Sequence, residues 1–149
     1  MGKGRRKLFW SVLLALNLAL IWGNSLVSGA ESGQMSGGIM EVVMNLLRIP
    51  AEYSDTVHLL IRKMAHITEF ACLSALISWC LGRVKEKRVH QILLAVLISM
   101  AVALMDETIQ LYTPERGPSL VDVWIDTLGA VLGMTAVQLG YHLKKKNKT

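Results

Sequence analysis

Apolar residues gather in four runs, roughly Leu8 to Ser28, His58 to Leu81, His90 to Leu111 and Ser119 to Leu143, with polar stretches between them. Crossing a hydrocarbon core takes about 20 mostly apolar residues at a rise of 1.5 Å each, and every run reaches that length. No alternation of apolar and polar positions argues for strands, and no internal repeat is present. The pattern predicts an all-α integral membrane bundle of four transmembrane helices, forming a single domain over residues 1–149. Between the first two runs, Ser32, Gly33, Gln34, Ser36, Gly37 and Gly38 have the composition of a flexible tract. Ile39, Val42, Val43, Leu46 and Leu47 then fall at helical spacing, with Glu41, Asn45 and Arg48 elsewhere and Pro50 as a stop. This predicts a short amphipathic helix in the first outer loop, either lying on the membrane surface or packed over the bundle.

Charge adds an orientation. The formal net charge of +5 would suggest nucleic acid as a partner for a soluble protein. Here the basic residues sit where membrane topology puts them, so no nucleic-acid partner is expected. Lys3, Arg5, Arg6 and Lys7 precede the first run; Arg83, Lys85, Lys87 and Arg88 link the second and third; Lys144, Lys145, Lys146 and Lys148 follow the fourth. The remaining links are poor in bases: Glu31, Glu41, Glu52 and Asp55 outweigh Arg48 in one, and Glu115 balances Arg116 in the other. The alternation places both termini in the cytoplasm and the base-poor links outside. A basic start, the apolar stretch to Trp22 and the small residues Ser28 and Ala30 also suit a cleavable signal peptide. Asn17 interrupts that stretch and the run fills a whole span, so a retained helix is expected. Cys72 and Cys80 lie eight residues apart on one predicted helix, too far along its axis to bridge each other.

Ionisable residues inside the runs change the picture most. A charge at the centre of a membrane helix costs on the order of 2.5–3.5 kcal/mol on insertion scales, so such groups are expected to face inward and to be paired. The second run carries Arg62, Lys63, His66 and Glu69; the third Asp106, Glu107 and Gln110; the turn after it Arg116; the fourth Asp122 and Asp126. In the predicted topology all of these fall in the outer half of the bundle, level with Asn24, Ser25 and Ser28. Arg62, His66 and Glu69 share one helical face and Asp106 and Gln110 another. Asp122, Asp126, Gly129 and Gly133 form a stripe whose glycines permit close approach of a neighbouring helix. Individually these residues have plainer readings: Lys63 as a snorkelling lysine, His66 as a satisfied core histidine, Asp122 as a helix cap. As a set they exceed what packing of four helices needs.

Three chemistries suit the set. Arg62, Lys63 and Arg116, together with Gln110, Asp122 and Asp126, form a candidate site for a lipid phosphate. His66, Glu69, Asp106 and Glu107 are candidate catalytic acids and bases. A structural charge network that docks envelope enzymes is the third. Glu69, Asp106, Asp122 and His66 could supply metal ligands, but their spacing matches no recognised metal motif, so no metal or other cofactor is expected. A transporter or channel is disfavoured because the charges stay near one side.

The stretches RKMAHITEF (Arg62 to Phe70) and MDETIQLYTPERGPSLVDVWIDTLGA (Met105 to Ala130), and more weakly the serines after the first run, resemble the VanZ-like family of small bacterial membrane proteins. Asp126 departs from that pattern, standing where many relatives carry asparagine. The resemblance implies a multi-pass protein of the bacterial cell membrane with a link to the cell envelope. The family's founding member is associated with reduced susceptibility to the glycopeptide teicoplanin. The resemblance supplies no reaction. The expected partners are membrane lipids, with an anionic phospholipid or a polyprenyl-phosphate-linked precursor in view.

Overall fold

The computed structural model describes residues 3–81 and 88–146. Among these residues five α-helices follow in order: α1 (Lys3–Leu26), α2 (Gly29–Leu47), α3 (Ser54–Leu81), α4 (Arg88–Gln110) and α5 (Leu120–Lys146), with a 3-10 turn at Ala51–Tyr53 before α3. Gly4–Leu26, Ala51–Leu81, Val89–Gln110 and Leu120–Leu143 are long and apolar enough to cross a membrane, as the hydrophobic runs predict. Of the basic clusters, Arg83, Lys85, Lys87 and Lys148 lie outside the described residues, as do the side chains of Lys3, Arg88, Lys144 and Lys145.

α3 is the central element, packing on α1, α2, α4 and most extensively on α5. The reason lies in two glycines. A Cβ added to Gly129 would lie 2.5 Å from the carbonyl oxygen of Ile67, and one on Gly133 would come closer still to that of Ala71. Only glycine lets the α5 backbone reach α3 this closely. Ile21, Phe70, Leu73, Ile77, Ala103, Val123 and Met134 fill the core, drawn from all four long spans. Leu16, Leu97, Leu104 and Leu132 are exposed on the outside, where a membrane solvates apolar side chains. At one end Trp10 stacks on Trp79 with ring centroids 4.7 Å apart, and Tyr141 lies beside them. Cys72 and Cys80 are both free thiols.

The Gly/Ser tract departs from expectation: it is helical, and α2 begins at Gly29 instead of near Ile39. Local hydrogen bonds offset the poor helix propensity. Ser28 caps the helix, its hydroxyl accepting from the Glu31 N–H at 3.2 Å while the Glu31 carboxylate accepts from the Ser28 N–H at 3.4 Å. Gly29 sits against the 111–119 loop, donating its N–H to the Pro114 carbonyl at 3.2 Å, and the Ala30 N–H reaches the Glu115 carboxylate at 3.0 Å. Within the tract, Ser36 Oγ bonds the Ser32 carbonyl at 2.8 Å and meets His58 Nε2 of α3 at 2.5 Å. α2 therefore lies against α3 and ends at Arg48, whose backbone is left-handed at φ 54°.

Candidate functional site

The first half of α3, the end of α4, the loop after it and the start of α5 meet at the end of the bundle opposite the stacked tryptophans, bringing together the polar residues singled out in the sequence. They surround a pocket of about 210 Å³ lined by Arg62, Lys63, His66, Gln110, Arg116, Asp122 and Asp126, with Glu115 at its rim. Glu69, Asp106 and Glu107 do not line it.

Most of the carboxylates are committed to partners on other helices. Lys63 reaches from α3 to Asp122 in the first turn of α5, forming an ion pair in place of the snorkelling and capping roles the sequence allows. The cap of α5 is Ser119, whose hydroxyl accepts from the Asp122 N–H at 3.3 Å. Glu107 also supports that helix start, accepting from the Ser119 N–H at 2.6 Å. Glu69 accepts from Asn24 of α1 at 2.7 Å. Asp106, fully buried, accepts from Ser25 at 2.5 Å and from Gln110 at 3.0 Å. Thr113 completes this corner by donating to the Ser25 carbonyl at 2.8 Å.

Two groups differ. Arg62 and Arg116 line the pocket together, and neither closes an ion pair with a carboxylate among the described residues. Burial and the neighbouring Arg62 guanidinium push the Arg116 guanidinium down from its ordinary value. Asp126 is fully buried, and neither of its oxygens has a hydrogen-bond partner among the described residues. His66 Nδ1 stands 3.4 Å from Asp126 Oδ1. His66, Asp106 and Asp126 each bring one donor atom to within 4.8 Å of the other two. Of the ligand set the sequence suggested, Glu69 and Asp122 are taken up elsewhere, and Asp126 stands in their place.

A second concavity, of about 250 Å³, opens between α1, α2 and α3. Val27, Met35, Ile39 and Ile61 give it an apolar wall, and it shares Arg62, His66 and Arg116 with the polar pocket. The sequence noted Asn24 and Ser25 only as polar residues at the same depth. It gave no sign of the Ser36–His58 contact, because that contact depends on the unexpected first turns of α2.

A family model described as VanZ/LLP1 matches residues 9–141. The chain belongs to the VanZ/LLP1 family. Among curated proteins and among solved structures no significant match was found. The match covers every residue of the polar pocket, so in this VanZ/LLP1 membrane protein the two stretches that carry the resemblance, 62–70 and 105–130, are the ones that fold into one site.

Proposed function

We propose that this VanZ/LLP1 protein binds an anionic lipid, a phospholipid or a polyprenyl-phosphate-linked cell-wall precursor, in the outer leaflet of a bacterial cell membrane. The observation that carries the reading is the Arg62 and Arg116 pair. Two guanidiniums share one pocket without an ion-paired carboxylate among the described residues, and a phosphate satisfies both through their planar forks. The adjoining apolar groove under α2 supports an amphiphile over a free anion, since headgroup and chain find neighbouring surfaces of matching polarity. The base-poor composition of the loops at this end supports an outward orientation. Were the bound lipid also modified, His66 is the predicted acid or base that lines the pocket, whereas Glu69, Asp106 and Glu107 hold other hydrogen bonds.

Native mass spectrometry of the purified protein tests the reading. The wild type is expected to carry one phosphate-bearing lipid class that Arg62→Ala and Arg116→Ala lose while remaining folded. Identical lipids on all three proteins would overturn it. The second reading is a structural or docking protein for envelope enzymes, favoured by the cross-helix pairs Lys63–Asp122, Asn24–Glu69 and Ser25–Asp106. It expects activity in cells to survive Arg116→Ala. A link to teicoplanin susceptibility rests on the family alone; expression in a susceptible host, with Arg116→Ala as comparison, tests it.

A further inference from the structure

We infer that His66, Asp106 and Asp126 form a binding site for a divalent metal ion of the Mn²⁺ or Zn²⁺ class at the floor of the polar pocket. One donor atom from each residue lies within 4.8 Å of the other two, and the three come from α3, α4 and α5. The second observation is independent of that clustering. Asp126 is fully buried, yet among the described residues both its oxygens lack a hydrogen-bond partner, and His66 Nδ1 beside it is likewise buried and without a hydrogen bond. Buried polar atoms are almost always paired, and a buried carboxylate without hydrogen bonds is costly. Two of these atoms, His66 Nδ1 and Asp126 Oδ1, stand 3.4 Å apart on the packed helices α3 and α5.

A protonated histidine alone satisfies the arrangement poorly. The separation of 3.4 Å between Nδ1 and Oδ1 exceeds a normal N–H···O hydrogen bond, and the second Asp126 oxygen would still have nothing. One imidazolium also matches only one of two adjacent buried carboxylates. A divalent ion matches both, with the imidazole neutral and Nδ1 as ligand. An ion bonding each donor at about 2.1 Å requires the three, which lie within 4.8 Å of one another, to draw together by rotation of the side chains. Asp106 is already held as ligating carboxylates are, each oxygen accepting one hydrogen bond, from Ser25 and from Gln110. One nitrogen with two carboxylates suits Mn²⁺ or Zn²⁺ better than Ca²⁺, which takes six to eight oxygens. Three protein ligands leave coordination positions open, and His66 and Asp126 line the pocket, so those positions face it.

The site stands whether or not a lipid phosphate fills the pocket above it, and the test separates the two. The full chain, purified in a detergent without phosphate, is stripped with EDTA and titrated with Mn²⁺, with free ion read by electron paramagnetic resonance. One Mn²⁺ per chain should bind and Zn²⁺ should displace it. The pulsed spectrum should show coupling to an imidazole nitrogen, a signature read on the wild type and independent of whether variants fold. Asp126→Ala and His66→Ala that remain folded should bind at least tenfold more weakly. Absence of binding to the wild type, absence of nitrogen coupling, or unchanged affinity in folded Asp126→Ala would each overturn the site. The lipid reading is unaffected by any of these, because it is measured by retention of lipid on Arg62→Ala and Arg116→Ala.

Discussion

Ser25 on α1 donates its hydroxyl to Asp106 on α4 across 2.5 Å, and both residues are fully buried. The bond ties the first helix to the third span at the level of the polar pocket, and Gln110 and Thr113 reinforce it from the end of α4 and the loop after it. Ser25→Ala leaves one Asp106 oxygen without its donor. The expected loss is about 1–3 kcal/mol, the usual penalty for an orphaned buried acceptor, read as reduced stability in detergent unfolding.

Two glycines on α5 offer a matched contrast. Gly133 faces the Ala71 carbonyl and Ser74 of α3, whereas a Cβ on Gly140 would meet no atom of the described residues within 4 Å. Gly133→Val should therefore lower stability by about 1–3 kcal/mol or more through overpacking. Gly140→Val should leave the melting temperature nearly unchanged by the same assay.

The Lys63–Asp122 pair decides between a pinned and a snorkelling lysine. Both side chains are about one-third exposed, so solvent weakens the attraction without removing it. A double-mutant cycle with Lys63→Met and Asp122→Asn should give a coupling of about 0.5–1 kcal/mol. A coupling of zero would mean that the lysine seeks the lipid headgroups instead.

The capping box of α2 makes a prediction about a segment whose composition suggests disorder. Ser28→Ala removes the hydroxyl that accepts from the Glu31 N–H and should cost about 1 kcal/mol. Hydrogen exchange should then accelerate over residues 29–38 and stay unchanged in α5.

Orientation is testable by labelling. With Cys72 and Cys80 replaced by alanine, Gly117→Cys at the pocket rim should react with a membrane-impermeant maleimide in intact cells. Arg6→Cys should react only after permeabilisation, as the distribution of basic residues predicts.

Much of this architecture was legible along the chain. Run length located the four spans, although the second begins at Ala51, ahead of the expected His58, and helical phase put Arg62, His66 and Glu69 on one face and joined Asp106 to Gln110. The glycines of α5 were readable as a close-approach face. The first half of α2 was not, because glycine and serine have low intrinsic helix propensity and the capping and docking bonds that outweigh it involve residues as distant as Pro114 and Glu115.

The sequence by itself placed the ten polar residues toward one end of the bundle, since position along each helix follows from rise per residue and Arg116 lies in the turn between two of them. Which of them pair was decided only by the tertiary structure. Partner choice depends on the rotation and height of each helix relative to the next, and the contact of Gly129 and Gly133 with Ile67 and Ala71 sets these between α3 and α5. That contact brings Asp122 to Lys63 and Asp126 beside His66, while Glu69 turns to Asn24 of α1 and Glu107 to the backbone of Ser119. A carboxylate on a helix reveals its face from local periodicity, but it reveals its partner only once a second helix has packed against it.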